Sequence, residues 1–334
     1  MKIVIPGGSG QVGQMLARHY LAARHEVVVL SRSRANRPDT NKLRTVLWDA
    51  EALGHWRTEL DGADVVINLA GKSVNCRYHA ANRRRIIESR VKSTRAIGQA
   101  IQQAQSPPRI WLQASTATIY AHHYDAANDD VTGLIGGNEP SVPDTWRFSI
   151  DVAKAWEAAA TEFRLPNTRQ VLIRSAMTMS PDRGGVFDVL SGLVRTGLGG
   201  TSGDGRQYVS WIHELDFVRA LDWLITHDEL TGPVNLASPA PLPNADFMRT
   251  LRHAWGTKIG LPASQWMLEI GALFLRTESE LILKSRRVVP TRLLESGFAF
   301  RYAQWADAAR ELVRRWRAVR ELGSAALSTE MVSC

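Results

Sequence analysis

Cysteine is nearly absent: Cys76 and Cys334 are the two in 334 residues. Two thiols cannot build a disulfide framework, and their scarcity suits a reducing compartment. Long apolar runs are missing as well. No stretch approaches the ~20 apolar residues that span a bilayer, so no transmembrane helix is expected. The opening MKIVIPGGSG passes from a short apolar stretch directly into glycines, without a signal peptide's apolar region and cleavage site. A cytoplasmic location is the expectation. His122 and His123 lack metal-ligand spacing and read as surface loop residues. No metal is expected.

The formal charge of +8 raises the question of nucleic acid or an anionic membrane. The basic residues are dispersed, however, as in RSRANR at 32–37, RRR at 83–85 and RRWRAVR at 314–320. No nucleic-acid motif accompanies them. Solvated helix faces and anionic small ligands account for them better. The expected partner is a small-molecule substrate, with neither nucleic acid nor membrane. Hydrophobic residues at 44% and charged residues at 22% describe an ordinary globular chain, long enough to bury a large core.

What is present begins with KIVIPGGSGQVGQMLARHYLAARHEVVVLSR, residues 2–32. Lys2–Ile5 reads as a short buried strand. Val12, Leu16, Tyr20 and Ala23 then recur at helical spacing. Val27–Leu30 is a continuous apolar run, as in a parallel strand covered on both faces. The three pieces make a βαβ unit. Its turn carries Gly7, Gly10 and Gly13, a G-x-x-G-x-x-G pattern. Between a strand and a helix, such glycines let backbone approach a pyrophosphate at the helix's positive end. Gly7, Ser9, Gly10, Gln11, Val12 and Gly13 are therefore expected to bind a dinucleotide. The second strand ends in Ser31-Arg32, with Arg34 and Arg37 beyond, where NAD-binding chains carry a carboxylate. Hydroxyl and guanidinium suit a 2′-phosphate. NADP(H) is the expected cofactor, held there by Ser31 and Arg32.

Further strands are predicted at 43–47, 63–71, 109–115, 169–175 and 233–237, with helices at about 80–104, 149–163 and 214–228. Alternation of this kind implies an α/β fold, a Rossmann-type doubly wound parallel sheet with ligands at the strands' carboxyl ends. Asp49 should pass the adenine. Leu69, Ala70 and Gly71, small or apolar residues ending the fourth strand, should lie against the cofactor. Arg90 falls within an apolar stripe of Ile86, Ser93, Ile97 and Ile101. Either it snorkels to the surface, or it meets a cofactor phosphate or ribose. Residues 1–238 are read as the NADP(H)-binding domain, with part of 176–212 on the substrate side. Residues 239–334 are read as a smaller C-terminal domain of short helices, closed by a solvated basic helix.

The glycine turn, INLAG, STATIY and WIHELD together resemble an extended short-chain dehydrogenase/reductase. SRVKST (89–94), KAWEAAA (154–160), GLGGTSGDGRQYVSWIHELD (197–216) and RRVVPTRLLESGFAFRY (286–302) narrow the resemblance to the atypical sugar nucleotide epimerase branch. Its family-specific C-terminal segment would span 284–313. In that superfamily a tyrosine handles the proton as hydride moves, and a lysine four residues on lowers the tyrosine's pKa, ordinarily ~10. Aligned on Glu157, the lysine place holds Ala153 and the tyrosine place Ser149. Lys154 is adjacent but rotated by ~100° around the helix. The pair is missing. The resemblance also puts Arg90 at the active-site asparagine place and Thr116 at the substrate-orienting hydroxyl, with Ser115 beside it. Thr116 is the catalytic candidate, although capping the strand end is an equal reading.

After the sixth strand, Met177 and Thr178 should line the nicotinamide end. In the loop that follows, Arg206 could bind an anionic substrate and His213 could exchange protons, although a buried structural histidine reads better. Tyr120, Tyr208 and Lys154 are unranked replacement acids. Two functions stand: an NADP(H)-dependent oxidoreductase or epimerase-like enzyme with rearranged proton chemistry, or a non-catalytic NADP(H)-binding regulatory protein. The first is preferred. Substrate, reaction direction and oligomeric state are not fixed by these residues.

Overall fold

A computed structural model describes residues 1–34, 39–122, 124–140, 142–263 and 283–332, with side chains as far as Arg320. Arg37, His123 and Cys334 lie outside the described residues. The chain begins with β1 (Lys2–Pro6), α1 (Gln11–Ala22) and β2 (Glu26–Ser31), the βαβ unit expected. The helix stops one residue short of Ala23, which is exposed. There follow β3 (Leu43–Leu47), β4 (Val65–Asn68), α2 (Ala80–Gln103), β5 (Ile110–Thr116), α3 (Asp144–Thr161) and β6 (Arg169–Ser175). Next come β7 (Met177–Met179), α4 (Val186–Arg195), β8 (Tyr208–Val209), β9 (Trp211–His213), α5 (Glu214–Thr226) and β10 (Gly232–Leu236). The series closes with β11 (Leu242–Pro243), α6 (Asn244–Trp255), one turn of helix at Thr291–Glu295, and α7 (Trp305–Val332).

Seven strands form one sheet in the order β3-β2-β1-β4-β5-β6-β10, all pairs parallel. The chain winds outward from β1 through β2 and β3, then returns to β4 on the other side of β1. That reversal opens a crevice at the carboxyl ends of β1 and β4, where a doubly wound sheet takes its ligand. The apolar strands are explained by two-sided cover. Ile3, Ile5, Val27, Val29, Val65 and Ile67 join one core with α1 and α5. Val4, Val28, Leu30, Val66 and Leu172, facing the other way, join a second core with α2 and α3. Alternate residues thus serve opposite cores.

Three details correct the sequence reading. Strand β4 ends at Asn68 rather than running to residue 71, because the Asn68 side chain accepts the Ala70 N–H at 3.1 Å and turns the chain off the sheet. Helix α3 begins at Asp144, ahead of residue 149, directly after Pro143. The terminal helix is not merely solvated: Trp305, Ala308, Ala309, Leu312, Val313 and Trp316 bury one face against α4 and α6. This third core also draws Met179, Phe187 and Trp211 from before residue 238. Chain on both sides of the proposed boundary therefore shares one apolar interior.

Candidate functional site

The glycine turn is built around two close approaches. Gly7 has φ +76°, and a Cβ there would stand 2.8 Å from the Ala70 backbone. A Cβ on Gly13 would stand 2.4 Å from Gly8 Cα. Both positions forbid a side chain. Gly10 differs, because its Cβ would meet only Gly7 O, at 3.7 Å. Its bareness leaves open ground above the first turn of α1. Gly10 caps that helix with no side chain, and no acid occupies the first turn. The N–H groups of that first turn thus meet no side-chain cap. Gln11 adds a buried Nε2 without a hydrogen-bond partner, packed where a Cβ on Gly185 would come within 2.1 Å. Ser9 is exposed and Val12 half-buried beside it.

At one end of this turn, Arg32, Val46, Trp48, Asp49 and Trp56 are among the residues lining a hollow of about 740 Å³. Arg32 is exposed, while Ser31 is buried and its Oγ accepts from Ser33 N. Asp49 accepts the backbone N–H groups of Glu51 and Ala52, which hold its carboxyl below the ordinary range. Asp49 therefore shares the hollow with Arg32 while shaping its own turn.

Toward the other end, Leu69, Ala70 and Gly71 leave the sheet under the glycine turn, with Leu69 N donating to Pro6 O at 2.9 Å. Arg90 does not snorkel. Its residue exposure is 9%, its guanidinium lies 4.8 Å above the Trp156 ring, and a Cβ on Gly71 would come within 3.2 Å of it. One nitrogen, Nη1, donates to Lys72 O and Ile86 O. No described carboxylate pairs with Arg90, and burial draws its pKa down to about 10. The side chain borders a cavity of about 120 Å³ shared with Tyr78, Thr116, Thr118, Phe148 and Ser149.

Thr116 caps the strand end, its Oγ1 accepting from Thr118 N, and also faces the cavity. Ser115 faces elsewhere: its Oγ donates to Glu157 Oε1 at 2.6 Å. Glu157 also receives two hydrogen bonds from Arg174, each 2.8 Å, and Arg174 Nη1 donates to the Tyr120 hydroxyl. Tyr120 donates in turn to Asn235. Burial pulls the Arg174 pKa down, but the bonds and charge of Glu157 outweigh it and hold it well above the ordinary arginine value. This buried chain of polar groups removes Tyr120 from the candidate acids. The sequence reading used Glu157 only as an alignment mark. The sequence shows only that Arg174 and Glu157 each interrupt a largely apolar element, which calls for a partner without naming it.

The face of α3 on which the resemblance looks for a tyrosine and a lysine is divided between cavity and core. Ser149 stands on the cavity wall. Ala153 is fully buried, packed with Ala117, Ile119, Tyr120, Ala237 and Val288. Lys154 is turned aside, its Nζ within 3.3 Å of a Cβ built on Gly137. Met177 and Thr178 are half-buried on β7, paired with Trp211 and Ile212 of β9. His213 is structural: it is fully buried, its Nδ1 caps α5 at Leu215 N, its Nε2 lies 2.8 Å from Glu311, and its ring stacks on Tyr302. Arg206 is exposed and lies over the Tyr124 ring, and Tyr208 sits beneath Arg287. His122 is not a loose surface residue, since its Nδ1 accepts from Ser285 N and its ring packs on Trp146. Among the described residues no group of three or more His, Cys, Asp or Glu could hold a metal, and no helix is long and apolar enough to cross a membrane.

The family model described as NAD dependent epimerase/dehydratase family matches residues 3–237. The chain belongs to that family. A second model, a domain of unknown function (DUF1731), matches residues 263–312. The human epimerase family protein SDR39U1 is 29% identical over 318 residues, covering 94% of this chain and 100% of that one. A crystal structure of human SDR39U1 (isoform 2) with NADPH superposes with TM-score 0.80 at 27% identity, covering 94% of this chain and 99% of that one. A nucleoside-diphosphate sugar epimerase from Corynebacterium glutamicum gives TM-score 0.69 at 26% identity, with coverage of 93% here and 58% there. The matched range contains the glycine turn, the crevice and α3 with its Ser149 and Ala153.

Proposed function

We propose that the chain binds NADP(H) across the β1–α1 turn and acts on a small-molecule substrate as an oxidoreductase or epimerase-like enzyme. The carrying observation is the uncapped start of α1 beneath Gly10, where N–H groups and the orphaned Gln11 Nε2 await an acceptor. Gly7, Ser9, Gly10, Gln11, Val12 and Gly13 would hold the pyrophosphate. Ser31 and Arg32 would hold the 2′-phosphate, with Asp49 beside the adenine. Leu69, Ala70, Gly71, Met177 and Thr178 would border the nicotinamide half, with Arg90 at its edge and Ser115 behind it. The NADPH in the human relative's crystal structure supports this choice of cofactor.

When bound, the cofactor supplies hydride exchange. The residues of this chain would orient the substrate around it. Thr116 is the hydroxyl best placed to hold a substrate oxygen, because its Oγ1 accepts from Thr118 N and so keeps its own hydrogen to donate. Trp156, Phe148 and Val152 exclude water from the cavity wall. A second reading, NADP(H) binding without turnover, draws on the conversion of the lysine place at Ala153 into apolar core. Fluorescence titration tests the cofactor assignment, with NADPH expected to bind at least about tenfold more tightly than NADH. Tighter NADH binding would refute it. Turnover of any ligand found by thermal shift in the presence of NADPH would remove the second reading.

A further inference from the structure

Arg90 is more than nine-tenths buried and carries a charge that no described carboxylate offsets. Burying an uncompensated ion is costly, and proteins ordinarily pair it or neutralise it. Two backbone carbonyls meet one of its nitrogens, while its Nε and Nη2 donate to no described protein group. Gly71 and Trp156 clamp the guanidinium plane, so it cannot swing out to water without losing both contacts. A clamped guanidinium presents paired donors in a fixed plane, the geometry that a carboxylate matches with two oxygens. It opens on a cavity that also carries the hydroxyls of Thr116 and Ser149. At about 120 Å³ that cavity falls below the ~300–1,000 Å³ of pockets for drug-sized ligands. Its occupant must be compact.

We infer that this cavity is a subsite for the carboxylate of a small organic acid, with Arg90 as counter-charge and Thr116 as the neighbouring directional donor. As a substrate site it rests on the NADP(H) reading above, and it supplies the substrate class which that reading leaves open. The phenyl and indole walls of Phe148 and Trp156 give the acid's short apolar portion its contact. They also keep the local dielectric low, which strengthens the ion pair.

Calorimetry and thermal shift on the whole protein test this with pyruvate and acetate as probes, against acetone and acetamide at constant ionic strength. In NADPH-saturated protein the two acids should bind saturably and the two neutral compounds should not. Arg90→Met and Ser149→Leu should each weaken acid binding at least about tenfold. The first removes the charge and the second fills the cavity while leaving Arg90 in place. Equal binding of acids and neutral analogues to the unmodified protein would overturn the proposal without recourse to any variant. So would unchanged acid affinity in folded Arg90→Met. If NADPH displaces the acids, the cofactor itself occupies this cavity and the subsite is refuted. Direct NADPH titration runs alongside: failure of NADPH to bind would remove the cofactor reading, whereas acid binding dependent on Arg90 would still stand.

Discussion

Arg32 and Arg90 occupy opposite ends of one sheet edge and live under opposite physical conditions. Arg32 is exposed, at the rim of a hollow of about 740 Å³. Arg90 is buried beside a cavity of about 120 Å³. Water screens the first, so its charge costs the fold little and is free for a ligand. The second keeps only 9% of its surface exposed, which makes a charge without a carboxylate partner costly and a strong attractor. The open end carries its arginine at the surface, whereas the closed end is bound into the core.

That contrast orders the expected effects of mutation. Ala153→Lys would introduce the lysine that the sequence resemblance looks for, and it places an amine among Ala117, Ile119, Tyr120, Ala237 and Val288. A loss of about 3–5 kcal/mol in denaturant unfolding is expected, as for an unpaired buried charge. A stable, folded Ala153→Lys protein would show that the lysine place is still a site. Glu157→Ala strands Arg174, whose side chain is 11% exposed. A loss of ~3 kcal/mol or more is expected there too, with the Ser115 and Tyr120 contacts loosened. Little change in melting temperature would contradict a buried network.

At the open end the effects should fall on binding instead. Arg32→Ala should weaken NADPH at least about tenfold, leave NADH affinity unchanged, and barely move the melting temperature. An equal loss for both cofactors would place Arg32 on a shared phosphate. The smallest effect is expected for Asp49→Asn. The folded-state pKa of Asp49 is depressed by the N–H groups of Glu51 and Ala52, so its charge adds stability above the ordinary carboxylate range. That contribution is lost as pH falls through the depressed value. The wild-type and Asp49→Asn proteins should therefore differ slightly at neutral pH and converge in acid. A gap that persists in acid would mean that the charge is not the cause.

The open end was legible in the sequence, because its signals are local. Glycines between an apolar strand and a helix, and a Ser-Arg pair in place of an acid, need no knowledge of distant chain. The central strands were legible for the same reason, since a strand covered on both faces reads as a short apolar run, as in β1, β2 and β4. The closed end was not. Whether Arg90 snorkels or is trapped depends on Gly71 and Trp156, brought together only by β4, α2 and α3. The partnership of Glu157 with Arg174 is likewise tertiary. The terminal helix looked solvated because its arginines were read without their partners: Arg315 pairs with Glu214 and Arg320 with Asp188.

The most direct measurement is a crystal structure of the protein soaked in NADPH. Density should cross the β1–α1 turn, with the pyrophosphate on the N–H groups after Gly10 and the 2′-phosphate within hydrogen-bond distance of Arg32. An empty turn, or a nucleotide settled in some other crevice, would contradict the account.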